Sequence, residues 1–511
     1  MDPHATLQAT QEPVADKGLK PGALGLIAST VIGIASTAPA YSMAATLGFV
    51  VVGVGLQAPI LVILSFVPMW MIAVSYRELN SAEPDCGTVF TWGARTFGAR
   101  AGWMGGWAII AADVIVMASQ SQVGATYTYL LFGARSAAGS TNWTLLAGVL
   151  WIVAMTAICY LGIEISARVQ YALLGIELVM LALFSVVALV RVYTGHHPAG
   201  SIHVTASWFN PFHVHSFNAF AATVLIAIFI YWGWDSAGSV NEETMDARRI
   251  PGKAMVLGTV VLLLTFALVT VSAQSFAGVG TTGHGLANKD NSSDVISGLG
   301  SAVFGSSGIG WLLSKLLILM VMSSSVAATL TTILPTARTS LAMSSYKAIP
   351  ARFSRIHPRF LIPTWATVAM GVVSIAFYVL MTEVSKNVLQ DTITATGMMV
   401  AFYYGLTGIT CVWYFRRVLT RSPRDLLRKG VIPGLGGALL LALFGYACYQ
   451  YSQPSYGVTS WTVPGVGWHV GGVFLVGVGA LLLGAVLMAV WNLIAPDYFR
   501  GLTLPRATPP R

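Results

Sequence analysis

Charge is scarce in this sequence: Asp, Glu, Lys and Arg make up 9% of its 511 residues, against about a quarter in a soluble globular domain. That shortage excludes an ordinary water-soluble fold of this size. Cysteine is scarcer still. Cys86, Cys159, Cys411 and Cys448 stand far apart without Cys-x-x-Cys or zinc-type spacing, so neither a disulfide framework nor a metal site is indicated and packing roles are expected. The nine histidines fall largely in polar connections, as at His196, His197, His203, His213 and His215. No His-Glu-x-x-His or Gly-x-Ser-x-Gly motif appears, which argues against an enzyme. No cofactor is implied.

What the chain has instead is apolar residue, 55% of the total. Runs of roughly 20 apolar residues, each long enough to cross a hydrocarbon layer of about 30 Å as a helix, recur from Leu24 to Trp491. Six spans are predicted in the first half, from 22–50 to 216–243, and six in the second, from 254–277 to 468–494. The opening residues are polar and of mixed charge, without the basic start, short apolar run and small-residue cleavage site of a signal peptide. The first span is therefore expected to stay in the protein, and an even number of spans puts both termini on one side.

The net charge of +9 could point to nucleic acid, but its placement explains it better. Basic residues resist translocation and collect on the cytoplasmic side of a membrane protein. With the N-terminus inside, the cytoplasmic connections hold Arg77, Arg95, Arg100, Arg168, Arg248, Arg249, Lys253, Arg338, Lys347, Arg352, Arg355, Arg359 and the cluster from Arg416 to Lys429. The other side receives only Arg135, Arg191, Lys289 and Lys386. The expected surroundings are a lipid bilayer, the cell membrane, with both termini cytoplasmic and no nucleic acid. The segment 78–100 reads as a cytoplasmic loop with a short amphipathic helix, and 277–306, with Asp290 and Asp294, as a long external connection, partly disordered.

Two spans carry interruptions at mid-depth. The first contains Gly33-Ile34-Ala35-Ser36-Thr37-Ala38-Pro39, and the sixth Tyr231-Trp232-Gly233-Trp234-Asp235-Ser236. Pro39 lacks an amide hydrogen and clashes with the preceding turn, and broken backbone is tolerated at this depth only when buried in protein or lining a cavity. Interrupted helices at the start of two groups of five spans are the pattern of an inverted five-plus-five repeat, with substrate held where the half-helices meet. Gly33, Ile34, Ala35, Ser36, Thr37, Trp232, Gly233, Trp234 and Asp235 are the candidate substrate-binding residues. Exposed amides at one broken end suit a carboxylate and free carbonyls at the other an ammonium, so the partner expected is a small amino acid or amine. A simple Pro kink and plain aromatic packing are the competing readings.

Other polar residues inside the spans carry two readings each. Asp113, with Met117, Gln120 and Gly124 on one helical face, offers an ammonium contact, a proton relay or a structural hydrogen bond. Ser324 and Ser325 offer oxygen ligands for sodium or close helix packing. Coupling to protons, coupling to sodium and uncoupled exchange all stay open. Glu177 and Lys315 receive no role, Lys315 being near enough to an outer end to snorkel. Glu242, Glu243, Arg248 and Arg249 are expected to latch the inner end of the sixth span.

Four stretches resemble the amino acid–polyamine–organocation superfamily of permeases. They are Ile32 to Leu47, Glu78 to Trp107, Phe229 to Ala254 (with GWDSAGSVNEETMDARRIPGKA) and Leu334 to Pro363 (with LPTARTSLAMSSYKAIPARFSRIHPRFLIP). Ala35 stands where many members have a second glycine. The resemblance implies an all-α membrane protein of about twelve transmembrane helices with an inverted repeat and discontinuous helices 1 and 6. It further implies a secondary transporter of amino acids or amines working by alternating access. The expected organisation is a cytoplasmic tail at 1–21, a ten-helix transport core at 22–417, two further helices at 418–495 and a cytoplasmic tail at 496–511. A polyamine or other organic-cation carrier is the alternative, and an ion channel or solute-sensing receptor the readings from another class.

Overall fold

The computed structural model describes residues 17–288, 294–462, 465 and 467–507. Ten stretches in it are apolar and long enough to cross a membrane. The first of them, Leu26–Ala82, covers 57 residues and would measure about 85 Å as one straight helix, nearly three times a hydrocarbon layer of about 30 Å. The chain divides it into α1 (Leu26–Thr37), α2 (Pro39–Val54) and α3 (Ala58–Ala82). The amphipathic α4 (Val89–Phe97) follows, then α5 (Ala99–Leu131), α6 (Thr141–Tyr160) and α7 (Ile163–Tyr193).

The sixth predicted span is the shorter α8 (Phe217–Tyr231) and, after a break, the single turn α9 (Ser236–Ser239). Beyond it come α10 (Ile250–Ala277), α11 (Val295–Phe304), α12 (Gly308–Ser345), α13 (Thr364–Val384), α14 (Val388–Tyr414), α15 (Ile432–Ser452) and α16 (Gly472–Ile494). Strand is limited, among the described residues, to a hairpin of β1 (Ser460–Thr462) and β2 (His469–Gly471). This is an all-α membrane protein.

The helices meet through small and hydroxyl side chains, as membrane interiors require where burial alone gives no preference for protein over lipid. The polar face of α5 lies on α12: Thr336 Oγ1 donates to Asp113 Oδ2 at 2.5 Å, Gln120 pairs with Thr332 at 3.2 Å, and Ser325 Oγ donates to the Gln120 carbonyl at 2.5 Å. The last two helices are fastened to the rest. A Cβ on Gly408 of α14 would lie 2.6 Å from the Pro433 carbonyl and 2.7 Å from Gly437 Cα of α15. Trp107 of α5 donates to the Ala480 carbonyl of α16 at 2.7 Å.

One end of the bundle gathers Lys17 and Leu19 from the start of the described residues, 498–507 from their end, and most of the basic connections. Leu19, Phe90, Trp103, Tyr498 and Leu504 form a buried cluster there. The segment expected as a C-terminal tail is a strap: Tyr498 donates to the Ala99 carbonyl at 2.8 Å, Thr503 to that of Tyr346 at 2.5 Å, and Ala507 N–H to that of Arg95 at 2.8 Å. At the other end Lys315 and Arg191 cap helix termini, where unpaired carbonyls attract cations. Lys315 Nζ reaches the last carbonyls of α5, Leu131 at 2.8 Å, and Arg191 reaches Ala302 at 2.7 Å.

Within the connection expected to be partly disordered, α11 forms because Ile296, Leu299 and Val303 give it a buried apolar face and Asp294 caps it by accepting from Ser297. Lys289 and Asp290 lie outside the described residues.

Candidate substrate site at two helix breaks

Pro39 decides where the first span breaks. It supplies no amide hydrogen, and α1 stops one residue before it, at Ala38, whose left-handed backbone (φ 48°, ψ 70°) costs a non-glycine residue about 1–2 kcal/mol. An interruption somewhere within Gly33–Pro39 is the sequence expectation; Gly33–Thr37 are helical, and the break falls at Ala38. The physical reason is composition. Ile34 and Ala35 tolerate helix well, the hydroxyl of Thr37 bonds back to the Gly33 carbonyl at 3.2 Å, and only Ala38–Pro39 cannot continue.

In the sixth span, α8 ends at Tyr231, Trp232 is extended (φ −75°, ψ 145°) and Gly233 turns with φ 120°. A Cβ on Gly233 would lie 2.7 Å from the backbone carbon and oxygen of Ser36, and one on Gly33 3.0 Å from the Trp234 carbonyl. Each break thus uses a glycine to admit the backbone of the other. The Ser36 and Ser236 hydroxyls close the contact at 2.8 Å. The structure therefore brings Gly33, Ser36, Thr37, Gly233 and Trp234 together directly, while Ile34 and Ala35 pack on the adjoining turn.

The first turn of α2 is filled from two other helices. Glu177 Oε1 of α7 accepts from Ala40 N–H at 2.6 Å and from Ser324 Oγ of α12 at 2.7 Å, and Ser324 Oγ accepts from Tyr41 N–H at 3.2 Å. Ser324 thereby sits on α2, and Ser325 on α5, rather than on a carbonyl of the broken first span. Glu177, given no role from sequence, is the residue that joins three helices here. Its signal was plain enough: a lone carboxylate inside an apolar run.

Asp235 lies among aromatic rings. Tyr403 donates to its Oδ2 at 3.1 Å, Tyr76 approaches the same oxygen at 3.5 Å, and Trp232 donates to the Tyr403 hydroxyl. The ring of Trp234 packs against Tyr76 and Tyr404 at 5.2 and 5.1 Å, and its indole N–H is buried without a partner. Tyr76, Tyr403 and Tyr404 went unremarked in the sequence because tyrosines in spans are common and only the fold gathers them.

Below the breaks, buried ion pairs close the end that holds Leu19 and Tyr498. Lys17 Nζ meets Asp85 at 2.8 Å and Glu242 at 2.5 Å, and Arg338 meets Glu243 at 3.0 Å. Burial pulls the Lys17 ammonium down, but Asp85, with Cys86 and Glu242, outweighs it and holds the group well above the usual lysine value. Burial pushes Asp85 up, yet Lys17 and hydrogen bonds from Gly87 and Thr91 bring it below the usual aspartate value. Glu242 stays raised, burial outweighing Lys17. The expected latch at Glu242 and Glu243 is thus built with Lys17 and Arg338; Arg248 bonds the Ser81 and Ala82 carbonyls, at 3.0 and 3.1 Å. Asp85, Cys86 and Glu242 group like metal ligands, but Lys17 supplies their positive charge. Leu24 N–H donates to the Glu243 carbonyl at 3.0 Å and so ties the two interrupted spans together at this end.

Two cavities lie away from the breaks. An apolar one of about 800 Å³, between α5, α12, α13 and α16, is lined by Trp107, Phe377 and Trp491 among others. A polar one of about 260 Å³ near Gln122 and Asn387 sits toward the other end.

Paired breaks of this kind define a transporter architecture, and the model of one family, amino acid permease, matches residues 22–490. The chain belongs to the amino acid permease family. The resemblance read from the four sequence stretches is thereby borne out. This permease is 26% identical over 399 residues to a branched-chain amino acid permease of Bacillus subtilis, covering 73% of this chain and 76% of that one. A vacuolar cationic amino acid transporter 4 of Arabidopsis thaliana is 24% identical over 337 residues, covering 63% and 53%. A methylthioribose transporter of Bacillus subtilis is 24% identical over 321 residues, covering 59% and 64%.

Proposed function

We propose that this permease is a secondary active transporter of the cell membrane that moves amino acids or related amines by alternating access, with substrate held between the two helix breaks. The observation that carries the reading is the direct backbone contact of Gly233 with Ser36 and Thr37, which puts two discontinuous helices face to face inside the bundle. Substrate enters when that contact parts, and the Lys17, Asp85, Glu242, Arg338 and Glu243 pairs hold the inner end shut meanwhile.

The breaks open two groups of five spans, which supports an inverted five-plus-five repeat within 22–417 and an addition of two helices at 418–495. With Leu26–Ala82 divided at Gly55–Gln57 and α8 included, twelve spans result. The basic residues gathered at the end holding Leu19 and Tyr498 support a cytoplasmic placement of that end.

Uptake by the purified protein in liposomes, with labelled amino acids and amines and an imposed proton or sodium gradient, tests the reading. Saturable, gradient-driven accumulation supports a coupled carrier and names the ion. Flux without saturation would favour a channel, and binding without counterflow a receptor.

A further inference from the structure

We propose that Glu177 is a specificity-determining residue that keeps carboxylates away from the first turn of α2, so that this permease recognises its substrate as an organic cation lacking a free carboxylate. The proposal rests on the transporter reading above and deepens it.

A helix start has unpaired amides that attract anions, and in a broken membrane helix those amides are the natural seat for the carboxylate of an amino acid. In α2 none is left. Pro39 has no N–H, Ala40 N–H donates to Glu177, Tyr41 N–H donates to Ser324, and Ser42 N–H donates to the Ala38 carbonyl at 2.8 Å. The hydroxyl hydrogen of Ser324 is also committed to Glu177. A substrate carboxylate would have to displace a carboxylate that the protein holds permanently at hand, and while Glu177 is charged the two would repel at close range.

The charge balance of the interior points the same way independently. Asp113, Glu177 and Asp235 are buried, each at most 8% exposed, and among the described residues none has a basic partner. The buried cations Lys17 and Arg338 are consumed by Asp85, Glu242 and Glu243 at the inner end. Carboxyl groups buried without a base to match offer a guest that brings positive charge a partner they otherwise lack. Asp235 provides the recognition chemistry: a carboxylate enclosed by the rings of Tyr76, Trp234, Tyr403 and Tyr404, and aromatic faces attract ammonium groups strongly when water is excluded. The buried, unpartnered indole N–H of Trp234 marks this enclosure as one whose hydrogen bonding is incomplete.

The test uses the full-length permease in liposomes and amino acids matched with their decarboxylated amines: lysine with cadaverine, arginine with agmatine, leucine with isoamylamine, phenylalanine with phenethylamine. Each is assayed for counterflow and for its half-saturating concentration. The expected result is that in at least one pair the amine exchanges at a concentration tenfold or more below that of its amino acid. Glu177→Ala should narrow that ratio by improving the amino acid, and Glu177→Gln, which keeps the hydrogen bonds and removes the charge, should do so less. Amino acids that exchange as well as or better than their amines in every pair that exchanges overturn the proposal even if neither variant folds. A ratio unchanged in two well-folded variants overturns it as well. Exchange of no member of any pair overturns it together with the transporter reading, an outcome distinct from preference for the amino acid.

Discussion

Ser36 and Ser236, 200 residues apart in sequence, share a hydrogen bond of 2.8 Å between their hydroxyls at the point where two broken helices touch. Around it Gly33 and Gly233 let backbone approach backbone. The contact is specific and small, made by one hydrogen bond and two missing side chains, as a contact must be if it is to part and re-form during each cycle.

Gly233→Ala therefore tests the contact directly. Its Cβ would fall 2.7 Å from the Ser36 carbonyl while φ stands at 120°, so the closed arrangement should lose about 1–3 kcal/mol from backbone strain alone. Counterflow should drop at least tenfold while the protein remains monodisperse in detergent. Ser36→Ala removes one ordinary hydrogen bond, about 1 kcal/mol, and should leave counterflow within a few-fold of wild type.

Lys17→Met leaves Asp85 and Glu242 buried without their cation, and loss of one partner of a buried pair costs about 3–5 kcal/mol. The pH dependence follows from the shifts. Asp85 is lowered in the folded protein, so its contribution is present above its unfolded value of about 3.9 and is lost as pH falls through its lowered folded value. Lys17 is raised, so its contribution is full below about 10.4 and lost only above that. In Lys17→Met burial acts on Asp85 and Glu242 without the cation's offset, so both take up protons at higher pH than in the wild type, and the gap in melting temperature should be widest at neutral to alkaline pH and narrow as pH falls. A gap that does not narrow on acidification would contradict this account of the latch.

Arg338 and Glu243 allow a second check, because a buried pair replaced whole by apolar residues is often tolerated where a broken one is not. Arg338→Met should destabilise by about 3–5 kcal/mol, and Arg338→Met with Glu243→Leu by clearly less. The double variant, whose inner latch keeps only the Lys17 pairs with Asp85 and Glu242, should show altered accumulation at steady state. A double variant destabilised by the sum of Arg338→Met and Glu243→Leu measured singly would mean that the pair is not coupled.

Gly408→Val addresses the last two helices. The added atoms meet the Pro433 carbonyl and Gly437 within 3 Å, so about 1–3 kcal/mol of overpacking is expected. Gly408 lies one turn beyond Tyr403 and Tyr404 on α14, but the added atoms face Pro433 and Gly437 of α15, so activity per folded molecule should change little. A selective loss of transport in a stable Gly408→Val protein would show that α15 takes part in the cycle.

Much of this was legible beforehand, for reasons particular residues make clear. Span number and placement followed from apolar length, and the break in the first span from Pro39, whose missing N–H acts locally. Gly233 pointed to the second break for the same local reason. What stayed hidden depends on which helix faces which. Nothing near Glu177 in sequence says that it ends at Ala40 and Ser324, and nothing near Lys17 says that it meets Asp85 and Glu242. Gly33, which looked like part of the break, is helical, and its missing side chain makes room for the Trp234 carbonyl. The length of α12 to Ser345 and the docking of the final residues came from tertiary contacts that hydropathy does not register.

The central claim is that the two breaks hold a transported substrate, and its most direct measurement is gradient-driven uptake of labelled amino acids and amines by purified protein in liposomes, wild type beside Asp235→Asn. The account predicts saturable accumulation of at least one solute by the wild type. In Asp235→Asn, whose neutral side chain still accepts from Tyr403 but no longer attracts an ammonium, the half-saturating concentration should rise about tenfold or more, roughly 1.4 kcal/mol of binding. Accumulation with the same half-saturating concentration in both proteins, or none in a well-folded wild type, would contradict it.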